Sequence, residues 1–235
     1  MHSKKALIMP VLVGLILLAA MPAYARDVAT FVNLGFSEDS RTFMFGLHGV
    51  SGDTGSPYAE IVTVDVPRNQ FVSGGVHRTE YPVRPGPGQD GHGALLRLLG
   101  EHQNLIVNHK INHLSQGRLL YILLNGDEPP RERLEFRDFE SDSRFIVKLN
   151  QESSGSRDEL RARFHIELEK SPRAGSTERF VIGLPEFDRS QVGTYRISQI
   201  LASPDESSLV FVVEMKYPHA TDRSISYMVE TVKIR

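Results

Sequence analysis

Apolar positions along this chain fall mostly into short runs broken by turn-forming residues. Ten segments, 28–36, 42–50, 58–66, 118–124, 144–149, 163–168, 179–182, 195–201, 208–215 and 226–234, are rich in β-branched or aromatic residues. Gly, Pro, Asp, Asn and Ser punctuate them, which predicts β-strands. In 163–168, Phe164, Ile166 and Leu168 alternate with polar residues, the pattern of a strand with one wet face. One stretch changes period. After Asp90, a cap residue, the segment 94–114 carries Leu95, Leu99 and Ile106 at helical spacing, with Leu98 and Leu105 beside them. Gly117 offers a stop, and Gly100, at a cost of about 1 kcal/mol, allows two shorter helices in place of one. Before this helix, residues 78–93 hold three Pro and four Gly and predict an exposed loop. Ser and Gly mark two further soft connections, at 151–158 and 171–177. The expected fold is mainly β: one domain, residues 26–235, of antiparallel meanders. It is propeller-like or a sandwich, with a short helical insertion near 92–114.

The first 25 residues follow a different plan. Lys4 and Lys5 precede an apolar run from 6 to 20, and the segment closes on Ala23-Tyr24-Ala25. A charged start, an apolar centre and a small-x-small end define a secretory signal peptide, with cleavage expected after Ala25. A membrane anchor is the alternative. The run is shorter than the ~20 residues a spanning helix needs, and Pro10 and Pro22 interrupt or bound it. No later stretch is long and apolar enough to span a bilayer, so no transmembrane segment is expected after cleavage. The expected location is therefore extracytoplasmic, periplasmic or secreted.

Cleavage changes the charge. Without Lys4 and Lys5, 25 basic residues face 29 acidic ones, a net charge of −4. Such a balance supplies no electrostatic reason to bind nucleic acid or an anionic membrane surface. The chain has no Cys, so its core must hold without disulfides, as a chain of this size can.

The two ends of the mature chain resemble each other. Phe36-Ser37-Glu38-Asp39-Ser40-Arg41-Thr42-Phe43-Met44-Phe45 aligns with Ala202-Ser203-Pro204-Asp205-Glu206-Ser207-Ser208-Leu209-Val210-Phe211. Thr63-Val64-Asp65-Val66 then aligns with Thr231-Val232-Lys233-Ile234. In each unit a strand runs into Ser-x-Asp, and the carboxylate of Asp39 or Asp205 is expected to accept backbone N–H groups and fix a reversal. The unit resembles the S-P-D-G turn in blades of TolB- and WD40-type propellers, which often close with strands from both chain ends. Two ordinary hairpins sharing one turn chemistry are the alternative, slightly favoured because only two copies are visible.

A wider set of motifs resembles a family of predicted secreted bacterial proteins known only as a domain of unknown function. It comprises Ala29-Thr30-Phe31-Val32-Asn33-Leu34-Gly35-Phe36-Ser37, Phe45-Gly46, Tyr121-Ile122-Leu123-Leu124-Asn125-Gly126 and Leu134-Glu135-Phe136-Arg137-Asp138-Phe139. Tyr195-Arg196-Ile197, Ser203-Pro204-Asp205 and Tyr227-Met228-Val229-Glu230-Thr231 complete it. The resemblance covers essentially the whole mature chain. It implies export and one domain, and supplies no catalytic residues.

Three constellations carry possible chemistry. His102, His109 and His113 lie in the predicted helix, with His109 and His113 four apart on one face. Such a pair can ligate a divalent metal such as zinc, with His92 reaching in from the loop. The segment His109-Lys110-Ile111-Asn112-His113 lacks the Glu of a metalloprotease H-E-x-x-H, and Lys110 repels a cation. Residues 86–91 match G-x-G-x-x-G, but Pro82 and Pro85 stand where the dinucleotide fingerprint needs a strand. Residues 132–140, read as a strand, put Arg133, Glu135, Arg137 and Phe139 on one face, either ion-paired across strands or forming an anion- or sugar-binding strip. There is no G-x-S-x-G elbow, Cys nucleophile or Walker loop, and no Trp for stacking on sugars. The expectation is a non-enzymatic protein, without cofactor, that binds or scaffolds another envelope component. The alternative is a metal-binding protein or metal-dependent hydrolase built on the three histidines.

Overall fold

The apolar runs fold into antiparallel meanders stacked as three sheets. The computed structural model describes residues 28–86, 88–124, 130–219 and 224–235. The expected export segment, residues 1–25, and the cleavage expected after Ala25 lie outside the described residues. Sheet I is formed by β1 (Thr30–Ser37), β2 (Thr42–Val50), β3 (Pro57–Asp65) and β4 (Gln70–Glu80), with short β5 (Ile111–Asn112) beyond β1. Sheet II is formed by β6 (Arg118–Ile122), β12 (Thr194–Ala202), β13 (Ser208–Lys216) and β14 (Ile225–Lys233), in the order β14-β13-β12-β6. Sheet III is the meander β7 (Arg133–Asp138), β8 (Ser143–Ser154), β9 (Arg161–Pro172) and β10 (Glu178–Ile182). Short β11 (Arg189–Ser190) also pairs with β9.

Sheet II is the middle layer, and its sequence shows why. A strand covered on one side alternates; a strand covered on both sides is apolar throughout. Residues 209–213 of β13 read Leu-Val-Phe-Val-Val, and all five are buried. Leu209, Phe211 and Val213 pack with Phe145, Phe164 and Ile166 of sheet III. Val210 and Val212 pack with Phe43, Phe45 and Val64 of sheet I. The sheets thus stack face to face, in the manner of a sandwich with one extra layer. No barrel is closed among the described strands.

The two Ser-x-Asp turns are superposable in their bonding. Ser37 Oγ donates to Asp39 Oδ1 at 2.6 Å, Arg41 N donates to the same oxygen at 3.1 Å, and Thr42 N donates to Ser37 Oγ at 2.9 Å. In the second turn Ser203 Oγ donates to Asp205 Oδ1 at 2.6 Å, Ser207 N at 3.1 Å, and Ser208 N donates to Ser203 Oγ at 3.0 Å. Ser40 and Glu206, the matching next residues, both take left-handed backbone, with φ of 58° and 57°. The likeness extends to the third strand: Val66 N donates to Arg41 O, and Ile234 N donates to Ser207 O. The Ser37 hydroxyl and the Arg41 amide hold the Asp39 carboxyl below its usual range. Burial opposes the same shift at Asp205, but the Ser203 hydroxyl and Ser207 amide outweigh it. Asp39→Ala and Asp205→Ala are each expected to cost about 1–2 kcal/mol, since each removes two accepted bonds at a reversal. Urea unfolding at pH 7 checks this. Equal stability in both variants and the wild type would show the turns to be passive.

The helical insertion covers the outer face of sheet I. It consists of α1 (His92–Glu101) and α2 (Gln103–Asn108). Leu95, Leu98 and Leu105 pack on Leu34, Met44 and Ile61. Two glycines permit this approach: a Cβ on Gly46 would stand 2.7 Å from Leu95 Cδ1, and one on Gly91 would stand 2.3 Å from Gly49 O. Asp90 acts one position before the cap, its carboxylate accepting from His92 N, while Gly91 occupies the cap.

The helix ends earlier than the apolar spacing predicts. The spacing continues to Leu114, but the chain leaves helix at Asn108, Lys110 turns with φ 51°, and Ile111 pairs with Ser37. Strand pairing with β1 outcompetes helix continuation there. Gly117 does not stop the helix. It lies at the entry to β6, where any Cβ would meet Ala202 O at 2.4 Å.

Candidate functional site

Sheet I is wider than the sheet it packs on. Sheet II stops at β14, whereas sheet I carries on through β3 to β4. The inner face of β3–β4 is therefore only partly covered, and a cleft of about 1080 Å³ opens beside β14. One wall is Val62, Val64, Phe71 and Val76 of sheet I. The opposite wall comes from residues 184–192 of the sheet III side, with Leu184 and Phe187. Met215, Tyr227 and Met228 of sheet II form the back. Around the cleft Phe71, Leu184 and Phe187 are 61%, 60% and 52% exposed, an unusual allotment of large apolar side chains to water.

Polar groups fasten the three sheets at the base of the cleft. Asn69, in the β3–β4 turn, has φ 51°, a conformation Asn tolerates better than most residues. Its Oδ1 accepts from Thr231 N at 2.7 Å, and its Nδ2 donates to Glu230 Oε2. Thr231 Oγ1 in turn donates to Val66 O at 2.6 Å. Glu230 faces Arg189 at 3.7 Å, and the Arg189 guanidinium lies 5.1 Å from the Phe164 ring centre and 5.0 Å from that of Phe187. Burial pushes the Glu230 carboxyl above its usual range, while the Asn69 amide and Arg189 pull it back. Deeper in, Arg196 Nη2 donates to Glu214 Oε2 at 2.8 Å, and burial pushes the neighbouring Tyr227 phenol up to about 12. The outer charges pair as well, Arg68 with Asp65 and Arg78 with Glu60. The cleft thus presents apolar surface bounded by arginines that are each paired with a carboxylate, with Asp188 also in its lining.

The histidines do not converge. His102 lies between the two helices with its ring 3.9 Å from that of His77. His109 caps α2, beyond its last helical residue. His113 lies past β5 and donates through Nδ1 to Leu34 O at 2.6 Å. The helical i,i+4 face expected for His109 and His113 is absent because the helix ends at Asn108. Among the described residues no group of three His, Cys, Asp or Glu side chains is placed to hold a metal ion. His92 instead stands beside buried His48, ring centres 5.4 Å apart.

The arginine strip of β7 is ion-paired. Arg144 and Arg133 both donate to Glu135, and Arg137 and Arg173 meet Asp142. Of the glycines in 86–91 only Gly91 is closely packed, against Gly49; Gly88 has open space around it, and no strand enters Gly86. Pro87 lies outside the described residues. Asp39 and Asp205 are turn anchors. The cleft residues carry no contiguous motif. Their one sequence signal is large apolar residues in polar, Pro- or Gly-containing surroundings, as at Phe71 and Leu184-Pro185-Glu186-Phe187.

These features define a β-rich sandwich-like protein with an apolar surface cleft. No described helix is long and apolar enough to cross a membrane. The model of a family described as "Predicted secreted protein (DUF2259)" matches residues 44–233, and the chain belongs to that family. Among curated proteins no match is found.

Proposed function

We propose that this protein is a non-enzymatic binding protein of the extracytoplasmic space. The cleft beside β14 receives an apolar part of another envelope component. The observation that carries the reading is the exposure of Phe71, Leu184 and Phe187 around one recess. Exposed apolar side chains gathered on one concavity gain free energy by leaving water, roughly 25 cal/mol per Å² covered. The arginines of the cleft pair with Asp65, Glu60 and Glu230, and Asn69 joins Glu230 and Thr231, so these groups hold the recess open. The secreted character of the family agrees with a role in the envelope.

The uncharged environment-sensitive dye Nile red tests the reading. It is expected to bind the native protein saturably at one site. Phe71→Asp, at an exposed position, should weaken binding tenfold or more and leave the melting temperature unchanged. A native protein that leaves the dye unbound, or a Phe71→Asp variant that binds it equally well, would overturn the proposal.

A further inference from the structure

We infer that the cleft takes an extended polypeptide segment, apolar on both faces, which adds to sheet II as a fifth strand beside β14; this rests on the cleft being the binding site. β14 is an end strand of its sheet. Its pairing with β13 turns alternate backbone groups inward. Tyr217 N donates to Ser224 O and Ile234 N to Ser207 O, so even-numbered residues face β13 and Ile225, Tyr227, Val229 and Thr231 face outward. The two ends of this outward edge are already occupied. Ala29 N donates to Ile225 O at 3.0 Å, in a parallel bridge between Val28 and Ile225. Asn69 Oδ1 accepts from Thr231 N at 2.7 Å. Between them, the N–H and C=O groups of Tyr227 and Val229 have no partner among the described residues.

These four groups border the cleft, and backbone donors and acceptors left without water or a partner are costly. The Val28–Ala29 segment demonstrates that main chain fits on this edge. A four-residue strand occupies roughly 5 by 10 by 13 Å, about 650 Å³. The cleft, at about 1080 Å³, holds that with room for side chains. Alternate side chains of the guest would point to Val62, Phe71 and Val76 on one side and to Leu184, Phe187 and Met228 on the other. Both walls are mainly apolar, and the neighbouring arginines are paired with Asp65, Glu60 and Glu230. An uncharged segment, apolar on both faces, therefore matches the site better than a fatty acid or other anion. Main-chain bonds would supply affinity, and the two walls would select the side chains.

The test uses the full mature protein and acetyl-Ser-Val-Leu-Val-Ser-amide, followed by calorimetry and by amide hydrogen exchange. The peptide is expected to displace the dye and to slow exchange at the Tyr227 and Val229 amides at least tenfold. An analogue N-methylated at alternate residues keeps the side chains and loses the edge donors, and its affinity should fall at least tenfold. Phe71→Asp and Val76→Lys, both at exposed positions, should abolish peptide binding without loss of fold. Equal affinity of the two peptides, or bound peptide with unchanged exchange at Tyr227 and Val229, would overturn strand addition and leave the apolar cleft standing. Dye binding without peptide binding would do the same. Failure of both ligands would overturn the cleft itself. Protection of these amides by concentration-dependent dimerisation alone would assign the edge to a second copy and overturn the inference.

Discussion

Replacing Tyr195 with alanine is expected to destabilise the protein by about 4 kcal/mol, close to half of what a domain of ordinary stability possesses. The Tyr195 ring is fully buried between sheets II and III, with its centre 4.4 Å from that of Phe164. Its hydroxyl donates to Ala162 O at 2.9 Å, and burial pushes its phenol up to about 12. Alanine leaves a cavity at the joint of two sheets and removes the side-chain bond to Ala162 O; the cavity carries most of the loss. Tyr195→Phe separates the two contributions, since it keeps the ring, and should cost about 1 kcal/mol. Urea unfolding of the three proteins decides the matter. A Tyr195→Ala loss below about 1.5 kcal/mol would mean that the interface between sheets II and III collapses freely around the gap and is not close-packed.

The second large effect is expected at Arg118. Its Nη2 donates to Asp138 Oδ2 at 3.0 Å and to Glu206 Oε1 at 2.9 Å, and its Nη1 bonds the other Asp138 oxygen. Asp138 is buried and also accepts from Ser141 Oγ and from the amides of Glu140 and Ser141. One guanidinium thus joins the β7–β8 turn of sheet III to β6 and to the second Ser-x-Asp turn of sheet II. Arg118→Met keeps the volume and strands a buried carboxylate, at a cost of about 3 kcal/mol at pH 7. Arg118, foremost, holds the Asp138 carboxyl well below its usual range against the opposing effect of burial. A depressed folded-state value adds stability above the unfolded value of about 3.9, and this is lost as pH falls through the folded value. The gap between wild type and Arg118→Met should therefore be full at pH 6–7 and narrow below about pH 4. A gap that stays constant from pH 7 to pH 3 would exclude the carboxylate as its source.

Most strands are readable because their apolar runs are local. Residues 42–50 match β2 end to end, and the runs at 58–66, 195–201 and 208–215 differ from β3, β12 and β13 by a residue or two. The double-sided burial of β13 is written in Leu209–Val213, and the turn chemistry of Asp39 and Asp205 in their Ser-x-Asp frames. β4 leaves no such mark. It is an edge strand with Gly74 and Gly75 at its centre and mostly exposed side chains, so no apolar period reveals it. The soft spots at 151–158 and 171–177 are partly strand, because β8 and β9 pair with each other over twelve residues and each supplies the other's hydrogen bonds. The helical pairing of His109 with His113 does not form for a related reason: helical spacing fixes i,i+4 neighbours only while the helix lasts, and pairing of Ile111 with Ser37 ends it first. The cleft is not readable at all. Val76, Phe187 and Met228 come from three separate parts of the chain, and their proximity depends on sheet I outreaching sheet II, a property of the assembled layers and not of any one segment.

The make-up of sheet II has a consequence for the order in which the chain folds. Sheet I is complete once residue 112 is made, and sheet III is a continuous meander from residue 133 to residue 190. The layer between them takes only β6 from the middle of the chain and draws the rest from residues 194–233. A chain delivered from its N-terminus therefore carries two half-built faces, with Phe43 and Phe45 on one and Phe145 and Phe164 on the other, until its last strands arrive. Contacts of such long sequence separation form slowly. Loss of β12, β13 and β14 to a stop codon before residue 194 would leave not a shortened protein but two sheets with exposed apolar faces, free to stick to each other or to neighbouring chains.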